Sequence, residues 1–257
     1  MEEKPVNKTN SNGYTFMFAV IMVVVVASVL AFTATSLQPI QNVNVREEKM
    51  QNILATVGVD SVEVDGVPTF LSREMVQEYY DKFITQSLAL RADGSVDESV
   101  NAFKVDLAKE LGKPVEEQIY PLYIANIKGE KYYVIPLRGK GLWDAIWGYI
   151  ALKDDLNTVK GAVFDHKGET PGLGAEITKV WFQHRFENER VFDDEGNLVG
   201  VSAVKGSLGN SNKEDNRVDA ISGATITSKG VSNMISERLK HYLPYFKKQE
   251  GFKVAIQ

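Results

Sequence analysis

From Phe16 to Thr35 the chain reads FMFAVIMVVVVASVLAFTAT, twenty residues without a charge. About 20 apolar residues are what a helix needs to cross the hydrocarbon core of a bilayer. Lys4 and Lys8 precede this segment, and the next basic residue is Arg46. That bias predicts a membrane span over 15–36 with residues 1–14 in the cytoplasm and the remainder outside it. A cleaved signal peptide is the competing reading, and the length of the apolar run disfavours it.

After the span the texture alternates. Leu37 to Val59 is polar with spaced apolar positions (Val43, Ile53, Leu54, Val57), the pattern of a helix or stalk. Ser61–Phe70 places Val62, Val64 and Val67 around Asp65-Gly66, a hairpin signal. A helix is expected over Ser72–Leu88, with Ser72 as cap and Met75, Tyr79 and Phe83 recurring at steps of four. Another is expected over Ser99–Leu111, ahead of Gly112 and Pro114. From Gln118 onward strands dominate: Tyr120–Ile127, Lys131–Leu137, Ala145–Leu152 and Thr158–Phe164. A helix over Glu176–Phe186 would turn Ile177, Val180 and Trp181 inward, and Leu198–Val204 returns to strand. The last helix is expected over Ser228–Lys248, with Val231, Ile235, Leu239, Tyr242 and Phe246 on one face and Pro244 ending or kinking it. The sum is an α+β fold: a single N-terminal transmembrane helix, then an extracytoplasmic domain with a mostly antiparallel sheet and flanking helices. Its expected divisions are 1–14, 15–36, a stalk with a helical/β subdomain over 37–115, and a strand-rich domain over 116–257.

Composition removes several chemistries. The chain has 257 residues, a formal net charge of -5 and no cysteine. The charge argues against a nucleic-acid binder. Without cysteine there is no disulfide, thiolate nucleophile or cysteine-ligated iron–sulfur cluster, so redox work needs a borrowed cofactor. His166, His184 and His241 lie too far apart for metal-ligand spacing, and no metal site or catalytic residue is assigned. The strand–GxGxxG–helix arrangement of a dinucleotide site is missing.

One short stretch stands out ahead of the last helix: Asp219–Ser228, DAISGATITS. Small residues leave the backbone accessible, and Thr227 or Ser228 could cap the helix. The same free amides favour an anion, so a phosphate bonded to a threonine oxygen is the alternative.

Asp219, Ser222-Gly223-Ala224-Thr225 and Thr227-Ser228 together resemble the flavinylation motif of FMN-binding domains in respiratory membrane complexes. Glu169-Thr170-Pro171-Gly172-Leu173-Gly174 resembles the E-T-P-G-L-G segment of that family, and Gly139–Asp144 its G-x-G-L-W segment. The family is found in sodium-translocating NADH:quinone reductases and in Rnf electron-transport complexes; the single N-terminal span and the chain length make the sodium-translocating type the better match, with the Rnf type as the near alternative. The resemblance implies FMN held by a phosphoester on Thr225, placed there by a flavin transferase, and makes 116–257 the FMN-binding domain. It further implies an electron carrier, one partner among other membrane subunits, in a bacterial inner membrane with its main domain periplasmic. A membrane-anchored extracytoplasmic domain without redox function is the alternative from another class. Within the resemblance, Ser222 and Thr227 are candidate phosphate or cap donors, Gly223 and Ala224 keep the backbone beside Thr225 exposed, and Asp219 serves the transferase or shapes the loop. Leu142, Trp143 and Leu173 are expected against the ring, Gly172 and Gly174 beside it, Glu169 and Thr170 at its polar edge, and Lys205 near its negative charge when reduced.

Overall fold

The computed structural model describes residues 11–64, 67–206, 213, 215–249 and 252. The segment with Lys4 and Lys8, expected in the cytoplasm, and the turn expected at Asp65-Gly66 lie outside these residues. The chain forms two compact units, Met1–Glu48 and Lys49–Gln257.

The first unit is helical. Helix α1 runs Asn12–Thr56, with Pro39 inside it, so the spacer read after Leu37 continues the same helix. It holds one stretch long and apolar enough to cross a membrane. The side chains of that stretch are exposed. An isolated helix this apolar would be insoluble in water, and a bilayer satisfies both its side chains and its internally bonded backbone.

The second unit is built on one sheet. Strands β1 (Ser61–Val64) and β2 (Val67–Phe70) form a small antiparallel pair. Helix α2 (Arg73–Phe83) leads directly into β3 (Ile84–Arg91). Then come α3 (Leu107–Glu110), β4 (Ile119–Ile127), β5 (Glu130–Lys140), β6 (Ala145–Lys153) and β7 (Val159–His166). Strands β3 to β7 form an antiparallel meander in sequence order. Lys128 (φ 53°) and Gly129 (φ 89°) make the two-residue turn between β4 and β5. The chain closes with α4 (Val180–Gln183), β8 (Ser202–Val204), β9 (Arg217–Asp219) and α5 (Thr225–Phe246). Strands β8 and β9 pair in parallel, Val204 opposite Asp219.

The near-continuous apolar runs in β4–β6 follow from a sheet covered on both faces. On one side Tyr120, Leu122, Ile124, Tyr133, Ile135, Leu137 and Ile150 pack with Val231, Met234, Ile235, Leu239, Tyr242 and Phe246 of α5. On the other, Tyr123, Ala125, Tyr132 and Val134 pack with Met50, Ile53 and Leu54 at the end of α1 and with Val76 and Tyr80 of α2. Each such side chain contributes about 1.5–3 kcal/mol by leaving water. The first strand of the sheet, β3, and the helices covering its second face all come from before residue 116.

Four local expectations change. The helix over 72–88 stops at Phe83, because Ile84–Arg91 pairs with β4 and tertiary pairing outweighs local periodicity. Its buried residues are Val76 and Tyr80, one step from the Met75/Tyr79/Phe83 stripe. The helix over 99–111 breaks into two short turns, each with its own cap: Asn101 accepts from Phe103 N and Asp106 from Ala108 N. Ser99 caps neither, since it donates to Asp97. The helix over 176–186 is interrupted at Lys179, whose backbone is extended. That break shifts the helical phase, so Ile177, Phe182 and Phe186 are buried while Val180 and Trp181 face solvent. Strand Leu198–Val204 shortens to β8. At the C-terminus, Pro244 sits in the last turn of α5, which ends at Phe246.

Lys49 gives the second unit a pH signature. Its ammonium donates to the Phe103 carbonyl at 2.6 Å and lies 4.6 Å from the centre of that ring. Burial pulls its pKa down to about 8, with Asp106 opposing. An unfolded lysine titrates near ~10.4, so between about pH 8 and that value the unfolded chain binds more protons. The Lys49 contribution therefore makes stability rise with pH across this window. Denaturant titrations of wild type and Lys49→Met should show wild type gaining relative to the variant between about pH 8 and pH 9.5. A constant difference would remove this residue as the cause.

Candidate functional site

Three segments far apart in sequence meet at Glu169. This carboxylate is only 5 % exposed. One oxygen accepts from the Trp143 amide at 3.0 Å, and the other accepts the Thr227 hydroxyl at 2.6 Å. Its own amide donates to His166 Nδ1 at 3.1 Å. A Cβ added at Gly141 would lie 2.5 Å from Glu169 Oε1, and one at Gly174 would overlap Oε2 and come within 2.6 Å of Thr227 Oγ1. The glycines of both motifs are thus needed for close packing around this carboxylate. Glu169, expected at the polar edge of a ring, is instead spent on protein donors and joins the three motifs from within.

The 141–144 loop closes through a bond from Gly141 N to Asp144 O, 2.9 Å. Asp144 also pairs with Lys167 at 3.0 Å. The loop leaves Leu142 46 % and Trp143 67 % exposed. In the 169–174 segment the Thr170 carbonyl accepts from Leu173 N and Ala175 N, and the side chains of Thr170 and Leu173 face out. Gly172 has φ 75° and open space around it.

The third segment carries the hydroxyls. Ala220 N donates to Val204 O at 2.8 Å and Ala224 N to Ile221 O at 3.1 Å. Gly223 has φ 77°, and a Cβ there would stand 2.8 Å from Leu173 Cδ2. Both facts demand glycine at that turn. Helix α5 begins at Thr225, so Thr227 and Ser228 are not its cap. Ala224 holds the cap position and supplies no side-chain bond. Thr227 is 1 % exposed and Ser228 0 %. Ser228 Oγ accepts from Ile221 N at 3.1 Å. Thr225 and Ser222 are exposed, and the Thr225 hydroxyl has no protein partner among the described residues. The first amides of a helix lack intrahelical acceptors, which leaves this end open to an anion.

Lys205 follows β8 and is exposed; Val204 before it is paired with Asp219. Sequence reasoning assigned no role to two participants, His166 and Arg185, and offered Ser228 only as a helix cap. His166 and Ser228 act through single hydrogen bonds that no spacing reveals. Arg185 donates to the Asp219 carbonyl at 2.5 Å; it sits in a segment read as an ordinary helix, among Gln183, His184 and Glu187, where nothing in the sequence sets it apart.

These residues suit FMN. An exposed hydroxyl stands beside unpaired helix amides, fitting a phosphate. Leu142, Trp143, Leu173 and Ile226 expose apolar surface on the three segments that Glu169 and the Leu173–Gly223 contact bring together. Single exposed apolar residues are common, but several converging on one polar anchor make a platform for a flat aromatic ligand. Among the described residues no His/Asp/Glu cluster could hold a metal ion.

Residues 141–240 match the FMN-binding domain family. The chain is 32 % identical over 243 residues to the NqrC protein of the Na(+)-translocating NADH-quinone reductase of Pseudomonas aeruginosa, covering 88 % of this chain and 90 % of that one. The crystal structure of the corresponding protein from Parabacteroides distasonis superposes with a TM-score of 0.71 at 34 % identity, over 83 % of this chain and 98 % of that one. Shewanella oneidensis NqrC gives a TM-score of 0.67 at 25 % identity, over 80 % and 97 %. Agreement over nearly the whole length, in sequence and in fold, places the chain in the NqrC family of Na(+)-translocating NADH-quinone reductase subunits.

Proposed function

We propose that this chain is the flavin-carrying subunit of a sodium-translocating NADH:quinone reductase, with FMN joined to Thr225 by a phosphoester. When bound, FMN supplies reversible uptake and release of electrons. The chain's own part is to hold and orient it. Thr225 provides the attachment oxygen, and the amides of the first turn of α5 face the phosphate. Trp143, Leu142 and Leu173 provide apolar surface for the ring, with Gly172 leaving room beside it. Thr170 offers a hydroxyl and Lys205 a positive charge. Ser222, Gly223, Ala224 and Thr227 shape the turn, and Glu169 locks the three segments together.

The observation that carries this reading is selective exposure. Four hydroxyls lie between Ser222 and Ser228. Thr227 and Ser228 are buried and hydrogen-bonded. Ser222 is exposed but sits on the turn before the helix. Thr225 alone combines exposure with the first helical position. Attachment by a flavin transferase forms the Thr225 Oγ1–phosphorus bond and breaks the pyrophosphate bond of FAD. AMP leaves, and the hydroxyl proton passes to a base on the transferase. Asp219 helps that enzyme or shapes the loop.

The remaining steps belong to other subunits. One apolar stretch, Phe16–Thr35, without an ionisable residue offers no ion path, and this chain has no dinucleotide fingerprint. Lys4 and Lys8 favour a cytoplasmic N-terminus and a periplasmic main domain in a bacterial inner membrane. Peptide mapping by mass spectrometry of the natively purified complex tests the bond. The peptide containing Thr225 should carry FMN in near-full stoichiometry; an unmodified peptide would sink the proposal.

A further inference from the structure

We propose that Arg185 is a positioning residue for flavin attachment, holding the start of the Asp219–Thr225 loop so that Thr225 is presented in one geometry. This rests on the covalent reading above. Arg185 Nη1 donates to the Asp219 carbonyl at 2.5 Å. The guanidinium lies 4.7 Å from the Trp181 ring centre and 6.0 Å from that of Phe182. Its own carbonyl accepts Lys213 Nζ at 2.9 Å, and Lys213 also pairs with the fully buried Glu189 at 3.2 Å. Arg185 is therefore pinned at its backbone and stacked along its side chain. Its planar fork reaches Asp219 already oriented.

Beyond Asp219 the loop is also anchored by the buried side chains of Ile221 and Ala224 and by a bond from Ala224 N to Ile221 O. Ala220 N is bonded to Val204 O and Ile221 N to Ser228 Oγ, while Ser222 and Gly223 stand in solvent. Asp219 is the last residue of the short β9. Loss of the Arg185 bond leaves Asp219 held by its β8 pairing but loosens the carbonyl end of a loop whose other end is the reacting oxygen. Group transfer depends steeply on the placement of that oxygen: a misplacement of about 1 Å costs on the order of 100-fold in rate. Arg185 does this without touching the flavin.

The test uses the full-length chain in detergent as the substrate of its flavin transferase, with FAD. Arg185→Met keeps an unbranched stem over Trp181 and removes the donor. Initial rates of in-gel flavin fluorescence should show kcat about 10- to 100-fold lower, with KM for the chain changed less than about threefold because the docking surface is intact. Arg185→Lys, which restores a cationic donor, should recover a large part of the rate. Val76→Ala, a core truncation on the other face of the sheet, serves as a control for destabilisation and should retain wild-type kcat while folded. Hydrogen exchange reads the latch without flavin: the bonded amides of Ala220, Ile221 and Ala224 should exchange at least about tenfold faster in Arg185→Met, with β5 and mid-α5 unchanged. Wild-type kcat or unchanged exchange in folded Arg185→Met overturns the role given to Arg185. A wild-type chain that stays dark beside a fluorescent control overturns the covalent reading itself, and the attachment role with it.

Discussion

Thr225→Val should lose all covalently held flavin while folding as wild type. On a denaturing gel of protein co-expressed with its transferase, the fluorescence of the band should fall to background. The replacement keeps the β-branched shape and removes only the hydroxyl. That side chain is exposed and makes no hydrogen bond among the described residues. Exposed substitutions of this kind stay within about 0.5 kcal/mol, which moves Tm by only about 1–2 °C in a domain this large. Thr227→Val should behave in the opposite way. Its hydroxyl is buried and donates to Glu169 at 2.6 Å, so its loss leaves a buried carboxylate oxygen short of a donor, costing about 1–3 kcal/mol. Flavin should still attach. Two threonines separated by one residue thus divide cleanly, one chemical and one structural. Retained fluorescence in Thr225→Val would move the attachment elsewhere, with Ser222 the next candidate by exposure.

Glu169→Ala should destabilise the second unit by about 2–4 kcal/mol and disorder the site as well. Each hydrogen bond to a charged group is worth roughly 1.5–3 kcal/mol, and a buried donor left alone costs about 1–3 kcal/mol. Two bonds are lost, to Trp143 N and Thr227 Oγ1. Against this stands the relief of no longer burying a charged carboxylate, which keeps the net below the sum of the parts. The space vacated is bounded by Gly141 and Gly174, which carry no side chains to refill it. Glu169→Gln separates charge from geometry. Its amide oxygen can still accept from Trp143, and the Thr227 hydroxyl can rotate to accept from the amide nitrogen, so the cost should be nearer ~1 kcal/mol. Chemical denaturation measures both variants. If Glu169→Ala and Glu169→Gln unfold at the same denaturant concentration as wild type, Glu169 does not bind the three motifs together.

The division between what residue order reveals and what folding adds is visible at particular positions. The long apolar helix was legible because twenty uncharged residues form a signal that is local and additive. The β4–β7 strands and α5 were legible because both faces of the sheet are covered, so apolar runs mark them without ambiguity. The steps of four from Val231 through Ile235 to Leu239 survive intact in α5. Thr225 was singled out by motif, and the fold leaves it exposed at the first position of α5. The boundaries at Phe83, Lys179 and Ser202 were not legible, because strand pairing and a single extended residue overrode local periodicity there. Nor was the split among the hydroxyls: in one dimension Thr225, Thr227 and Ser228 are alike. Only packing buries two of them and leaves the third in solvent. Glu169 read as a ligand because a carboxylate in a motif invites that role, and Arg185 read as nothing. Both meanings come from contacts spanning 26, 58 and 34 residues. Local order specifies what a segment prefers by itself; which polar group satisfies which is decided when distant segments exclude water from one another.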